Sequence, residues 1–315
     1  MAVWRSLDEV PSDLGRTVAT IGNFDGVHLG HQHVIAQARV VAERLGADRV
    51  VAVTFDPHPM AVLRPEHAPP TLTDIDQRVG LLTKAGVDDV LVLPFTREMA
   101  DWSPEQFVST VLVDTLHVAG VVVGVNFRFG KRAAGDVALL ARVGAEQGFE
   151  TEGLPLDGGP QVWSSTYIRT CLAAGDIEGA AEALGHPVAV RGVVQRGDER
   201  GRELGFPTAN IPTSGHAAVP ADGVYAGRIR VLDQDGEPMP AAISVGVNPT
   251  FAGERSRRVE AYVIDADRDL DLYDREVEVV FVHRLRGMLR FESVDDLVAA
   301  MHDDVARTRE VLGAP

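Results

Sequence analysis

The stretch Gly22-Asn23-Phe24-Asp25-Gly26-Val27-His28-Leu29-Gly30-His31 stands between two segments of different periodicity. Before it, Thr17-Val18-Ala19-Thr20-Ile21 is a short run of apolar and β-branched residues, the pattern of a strand buried on both faces. After it, Leu29 to Leu45 reads as a helix closed by Gly46. In an open α/β sheet, ligands bind outside the carboxyl ends of the strands. Glycines there let the backbone approach phosphate oxygens, and the following helix N-terminus adds a positive dipole end. His28 and His31 are three residues apart and so share one helical face. They can donate hydrogen bonds to phosphates, or carry charge when protonated. That suits the charge that builds on a phosphorus under attack and on a leaving pyrophosphate. The alternative is a glycine-rich turn carrying two surface histidines. Gly22, Gly26 and Gly30, the Asp-Gly turn and the strand-to-helix context together favour the phosphate site.

Outward from this stretch the first half alternates strand and helix. Arg49–Thr54, Val90–Leu93 and Val118–Val123 read as further strands. Thr73–Ala85 reads as a helix with Thr73 as N-cap and Gly86 just past its end. Ser103-Pro104-Glu105-Gln106 opens another helix, with Ser as cap, Pro at the first position and Gln completing a capping box. The alternation predicts a Rossmann-like α/β domain: a parallel sheet with helices on both faces.

The period changes near Gly185-His186-Pro187, which sets expected domains of 1–186 and 187–315. Short apolar alternations follow, among them Val224–Ile229, Ala241–Val247, Val259–Ile264 and Val277–Val282, broken by Gly, Pro, Asn and Asp. They predict antiparallel β, a barrel or a sandwich. A helix over Ser293–Leu312 closes the chain, with Val294, Leu297, Met301, Val305 and Leu312 on one face.

With 30 basic against 46 acidic residues, the net charge of −16 disfavours nucleic acid and anionic membrane as partners. A local pocket for phosphate substrates is compatible with it. Lys84 and Lys131 are the only lysines, so cations rest on Arg, whose fork also suits phosphate. Cys171 is the single cysteine, which rules out an intramolecular disulfide or an all-cysteine metal site and fits a reducing, cytoplasmic setting. The first residues carry no long apolar stretch, so no signal peptide is expected.

Four motifs follow in order. They are the 22–31 stretch, Thr54-Phe55-Asp56-Pro57-His58-Pro59, Gly124-Val125-Asn126-Phe127-Arg128-Phe129-Gly130 and Ser164-Ser165-Thr166-Tyr167-Ile168-Arg169. The first resembles the H-x-G-H signature of the nucleotidyltransferase superfamily. The ordered set resembles the adenylyltransferase half of the prokaryotic bifunctional riboflavin kinase/FAD synthetase family. The resemblance implies ATP contacts from Gly22, Phe24, Asp25, Asn126, Ser164, Thr166 and Arg169, with His28 and His31 catalytic. On the residues alone, Asn126 can cap a turn and Ser164 or Thr166 can cap the helix near Tyr167. Capping and phosphate binding use the same helix end. His58, between two prolines, reads as a shaped loop residue.

In the second half, Gly192, Gly197, Gly201 and Gly205 punctuate a segment ending in Phe206-Pro207-Thr208-Ala209-Asn210. Read alone, the segment is equally a flexible connection. Thr208 and Asn210 are two apart, so in an extended segment both point to one side, where hard oxygens can hold Mg²⁺ against ATP. Pro220–Tyr225, Ser244–Phe251, Val259-Glu260-Ala261 and Asp269–Tyr273 complete the set. These residues resemble the riboflavin kinase fold, a small Greek-key barrel. The resemblance implies Mg²⁺ at Thr208 and Asn210, ATP at Gly192, Gly197 and Gly205, and flavin near Tyr225 and Arg286. It also implies Glu260 as general base for the ribityl hydroxyl. Without the resemblance, Glu260 reads as an outward polar residue on a strand. Relatives often carry Gly where Asp274 stands, and Gly287-Met288-Leu289-Arg290 differs from their more polar version.

The resemblance spans Thr17 to Leu312 and implies conversion of riboflavin to FMN and of FMN to FAD, with ATP as co-substrate and pyrophosphate released. Other H-x-G-H enzymes are the rivals. A class I aminoacyl-tRNA synthetase is disfavoured by length, charge and the missing lysine-rich signature, and a cytidylyltransferase does not need the β-rich half. A flavin carrier without catalysis is disfavoured by His28, His31, Arg169 and Glu260.

Overall fold

In the computed structural model, β1 (Val3–Trp4), β2 (Thr17–Ile21), β3 (Arg49–Asp56), β4 (Asp89–Pro94), β5 (Val118–Gly124) and β6 (Glu150–Leu154) form one parallel sheet in the order β1-β4-β3-β2-β5-β6. The structure describes residues 1–155, 163–196, 204–213, 216–233, 236–247, 257–265 and 270–314. Gly197, Gly201, the 248–251 part of the kinase motifs and Asp269 lie outside the described residues. The described chain divides into two compact units, 1–69 with 73–164, and 70–72 with 165–315.

Strand alternation sorts the first unit's core into two layers. Ala19, Ile21, Val51, Val53, Leu91, Leu93, Val121 and Val123 face Phe107, Leu112, Leu116 and Leu140. Val18, Val50, Ala52, Val90, Val92 and Val122 face Ile35, Ala38, Val41 and Leu82. The second set of helical residues belongs to α1 (Leu29–Leu45) and to α3 (Ile75–Ala85), which follows the short α2 (Pro59–Leu63). Leu140 comes from α6 (Val137–Gln147), after the short α4 (Arg97–Ala100) and α5 (Pro104–Phe107). Both faces are thus covered, as a parallel sheet requires. The chain lays β2, β3 and β4 side by side and then returns past β2 to add β5 and β6. The reversal opens a crevice between β2 and β5 at their carboxyl ends.

Two local departures from the sequence expectations have clear causes. The N-cap of α3 is Asp74, in a reciprocal box with Gln77, and not Thr73. The Thr73 hydroxyl is engaged elsewhere: it accepts from the Gly26 N–H at 3.2 Å and donates to Asp25 at 3.3 Å. Ser103 does accept from the Gln106 N–H at 3.1 Å, but the helix it caps passes into π winding over Val108–Thr115.

The second unit begins with α7 (Ser165–Ala174) and α8 (Ile177–Leu184). It continues with an antiparallel sheet of β7 (Val188–Val193), β8 (Thr208–Pro212), β9 (Gly223–Val231), β10 (Met239–Val247), β11 (Arg257–Val263) and β12 (Glu276–Arg286), and ends with α9 (Val294–Leu312). The order is β7-β12-β9-β10-β11-β8, and the Gln195 N–H reaches the Asn210 carbonyl at 2.8 Å, tying the last strand back toward the first. The barrel expectation holds. Tyr225, Ile229, Ile243, Val259, Ala261, Val279 and Phe281 fill the interior. Gly227 is required there, because a Cβ would stand 2.1 Å from the Val280 carbonyl oxygen. On the outer face, Ala242 and Tyr262 pack with Phe206, Ile264 and the α9 residues Val298, Met301 and Val305. Val294, expected on that apolar face, is exposed at the start of α9.

Glu278 on β12 stands directly opposite Arg191 on β7 and Arg230 on β9, and contacts them at 2.9 and 2.7 Å. Burial pushes its carboxyl up, but the two guanidiniums outweigh that and hold it below the ordinary carboxylate range. The stabilisation is therefore present above the unfolded pKa and lost as pH falls through the folded one. Glu278→Ala leaves two half-covered arginines unpaired and is expected to cost the barrel about 1–3 kcal/mol at pH 7, read as a lower urea midpoint. The difference from the parent should shrink in acid, and a pH-independent difference would contradict the assignment.

Candidate active sites

The crevice at the β2/β5 reversal is a cavity of about 1170 Å³. Pockets for one drug-sized ligand run to roughly 1,000 Å³, so this one is large enough for a nucleotide. Gly22, Phe24, His28, Gly30 and His31 line it from the loop and helix after β2. Asn126 and Phe127 line it from the turn after β5, and Ser164 from the end of the unit. Phe55, Phe95, Trp102, Phe127 and Trp163 add an aromatic wall.

The loop places the histidines by several specific contacts. His28 is the N-cap of α1: its Nδ1 accepts from the His31 N–H at 3.4 Å, which leaves Nε2 as the donor in the neutral ring. The two imidazoles stack at 3.6 Å between centroids, and Phe24 meets His31 edge-on at 5.1 Å. Gly22 makes room for Phe24, since a Cβ there would lie 3.3 Å from the ring. Burial first, then His28 and Arg78, hold the His31 imidazole well below its ordinary pKa, so it is neutral at pH 7. His31 Nδ1 is buried without a hydrogen-bond partner among the described residues. The backbone N–H groups and dipole of the α1 N-terminus, beside these two rings, make this end of the cavity suited to a phosphate.

Not every expected ATP residue faces the cavity. Asp25 is enclosed beneath the loop, with its carboxylate accepting from the Thr73 N–H at 3.1 Å. That position anchors the loop. His58 is a shaped loop residue as expected: its Nδ1 accepts from the Met60 N–H and caps α2. Thr166 sits in the first turn of α7, past the cap, and Arg169 donates from Nε to the Pro70 carbonyl at 2.6 Å within the second unit. Arg78, which the sequence reading did not single out, is 3% exposed and underlies the loop. A lone Arg in a helix gives no signal of burial.

In the second unit the expected kinase residues fall on one row of the barrel. Asn210 on β8 stands opposite Glu260 on β11, which stands opposite Ser244 on β10. Thr208 stands opposite Tyr262. Directly opposed residues share a sheet face. Val259 and Ala261 point inward and are fully buried, so Glu260 faces outward with Asn210. Asn210 is buried, and its Oδ1 has no hydrogen-bond partner among the described residues. Gly192 lets β7 pack on Ile211, where a Cβ would lie 2.7 Å from Cγ2, and Gly205 supplies a turn at φ 86°. Tyr225, expected at the flavin, is enclosed in the barrel, where its hydroxyl donates to the Ala221 carbonyl and its ring meets Phe281 edge-on. Arg286 is bound through two nitrogens to Asp304 of α9 at 2.9 and 2.7 Å. Asp274 adopts φ 59°, the left-handed conformation that glycine takes without strain.

A family model described as FAD synthetase matches residues 10–166, and one described as Riboflavin kinase matches 184–312. The bifunctional riboflavin kinase/FMN adenylyltransferase of Escherichia coli (strain K12) is 37% identical over 298 residues, covering 94% of this chain and 93% of its own. That of Pseudomonas fluorescens is 39% identical over 318 residues, covering 100% and 99%. The chain belongs to this family. A solved structure titled a macrolide-efflux protein from Streptococcus pneumoniae is similar to this chain, with TM-score 0.85 and 29% identity over 98% of each chain. Among the described residues, no helix is long and apolar enough to cross a membrane.

Proposed function

We propose that this chain phosphorylates riboflavin to FMN in its barrel and joins FMN to AMP in its α/β unit, releasing pyrophosphate and FAD. The observation that carries the reading is the stacked His28–His31 pair at the N-terminus of α1, set in the cavity at the carboxyl ends of β2 and β5. In the adenylyl transfer, the FMN phosphate attacks the α-phosphorus of ATP. His28 Nε2–H and the α1 N-terminus meet the charge on the phosphates, and His31 adds a second imidazole beside it. Gly22, Phe24, Asn126 and Ser164 hold the nucleotide, and the hydroxyl of Thr166 and the guanidinium of Arg169 have the chemistry that binds a triphosphate. The aromatic wall suits an isoalloxazine ring.

In the kinase reaction, Glu260 orients the ribityl 5′-hydroxyl and takes its proton as the γ-phosphoryl is transferred. Gly192, Gly197 and Gly205 bring backbone to the ATP, and Arg286 lies toward the flavin. Asn210 Oδ1, buried and without a hydrogen-bond partner among the described residues, fits a hard cation, and Thr208 is two residues from it on the same strand. Mg²⁺ held there would neutralise phosphate charge. We place the enzyme in the cytoplasm, where ATP and a reducing poise are found. Incubation with riboflavin, ATP and Mg²⁺, followed by chromatography, should show FMN and then FAD. Neither product would overturn the reading.

The kinase is assigned to 187–315 and the adenylyltransferase to 1–186. Because α7 and α8 pack within the second unit, a fragment starting at Ser165 keeps Ile177, Ala180 and Leu184 buried. Fragments from 165 and from 187 are both expected to make FMN and no FAD, with the longer one melting higher. A folded fragment that binds flavin without phosphorylating it would refute separability.

A further inference from the structure

The glycine-rich loop is held from behind by a residue that does not line the cavity. Arg78 on α3 donates from its NH1 to the Phe55 carbonyl at 3.0 Å and to Thr54 Oγ1 at 3.4 Å, and from NH2 to the Thr73 carbonyl at 3.4 Å. Two of its three partners, Thr54 and Thr73, reach the loop. Thr54 Oγ1 donates to the Asn23 carbonyl at 3.1 Å. Thr73 donates to Asp25 from both its N–H and its hydroxyl, and accepts from the Gly26 N–H. Both hydroxyls are used once as donor and once as acceptor, so the network is consistent in its protons. Between these two shoulders, Phe24 at φ 49° and Val27 at φ 40° occupy the left-handed region without being glycine. Such residues persist only where the surroundings over-determine them.

We infer that Arg78 is a positioning residue for adenylyl transfer: its guanidinium joins the end of β3 to Thr73 and so fixes both shoulders of the loop that carries His28 and His31. The inference rests on the adenylyltransferase reading of the cavity. A buried guanidinium is costly unless its charge and donors are answered. Here Asp25 from the loop, Asp56 from β3 and Asp74 at the α3 cap supply opposing charge against the burial that pulls its pKa down, while Nε is buried without a hydrogen-bond partner among the described residues. Burial first, then His28 and the positive charge of Arg78, keep the His31 ring neutral. His58 of the α2 cap hydrogen-bonds Asn23 on the open side of the loop. An apolar residue at 78 would fill the space and leave Thr54, Thr73 and Asp25 without their common partner.

Arg78→Met and Arg78→Lys in the full chain test this. Three measurements are made: kcat and KM for FAD formation from FMN, riboflavin phosphorylation, and the NMR titration of the His31 ring in the free protein. For Arg78→Met, kcat for FAD formation should fall about 10- to 100-fold, the scale of a small misplacement of reacting groups. KM for FMN should stay near wild type, riboflavin phosphorylation should be retained, and the His31 pKa should rise. Arg78→Lys keeps the charge without the fork, so it should leave the His31 titration nearly in place and recover only part of kcat. Wild-type FAD turnover in a folded Arg78→Met protein overturns the inference. If that variant loses both activities, Arg78→Lys decides: reduced FAD formation with intact kinase supports the role, and undiminished FAD formation overturns it. If the wild-type chain makes no FAD, the reading of the cavity fails, and the His31 titration alone still decides whether Arg78 acts on that ring.

Discussion

Alanine at both His28 and His31 is expected to lower FAD formation from FMN and ATP by about 10²-fold or more, the scale of losing preorganised donors to transition-state charge. FMN formation from riboflavin should be nearly unchanged, because Glu260, Thr208 and Asn210 belong to the other unit. The loss should appear in kcat, since phosphate charge grows most in the transition state. One complication is structural. His28 caps α1, and an N-cap replaced by alanine costs about 0.5–2 kcal/mol, so the double variant should also melt somewhat lower. His28→Asn separates the two effects, because Asn is a good cap without an imidazole. If His28→Asn keeps the melting temperature and loses FAD formation, the ring itself is the functional group. A double-alanine chain that loses both activities equally would point to misfolding, and one that keeps FAD formation would remove the histidines from the mechanism.

How much of this was legible in the sequence depended on whether local chemistry or distant contacts decided each feature. The parallel sheet was legible because β2 to β5 are buried runs with helices between them. Thr17–Ile21 and Leu29–Leu45 match the structure to the residue. β1 was missed because it is two residues long and exists only by pairing with β4. β6, Glu150–Leu154, carries two acidic residues and a glycine, and only its place beside β5 makes it a strand. Thr73 reads as a cap from its type, but the structure spends its hydroxyl on Asp25 and Gly26, 48 and 47 residues away. Tyr225 and Asp25 belong to the quoted motifs and yet lie buried, one in the barrel and one beneath the loop. A motif marks the neighbourhood of a site without saying which of its members face the ligand. Arg78 shows the converse: no local pattern distinguishes it from a solvated helix residue, and its role appears only with Phe55, Thr54 and Thr73 around it.

Glu260→Gln is expected to lower kcat for riboflavin phosphorylation by roughly 10²-fold or more, the usual scale for losing a general base. The substitution keeps size and hydrogen bonding and removes only the charge and the basicity. On the residues alone Glu260 reads as an outward polar residue, since Val259 and Ala261 flank it in a simple alternation. The structure narrows that choice. Outward here means the face bearing Asn210, directly across the β8–β11 ladder, whose side-chain oxygen is buried and has no hydrogen-bond partner among the described residues. A carboxylate beside a prospective cation and phosphate site has a task that a solvated strand residue lacks. KM for riboflavin should change little, because the hydroxyl–carboxylate contact strengthens as the proton moves. FAD formation from supplied FMN should persist, as it uses His28 and His31. The companion variant Asn210→Ala should act differently: it removes a hard oxygen, so its kinase activity should need more Mg²⁺ to reach its own maximum. If Glu260→Gln turns over riboflavin at the wild-type rate, the carboxylate is a surface group, such changes being worth within about 0.5 kcal/mol, and the barrel's base must be sought on another strand.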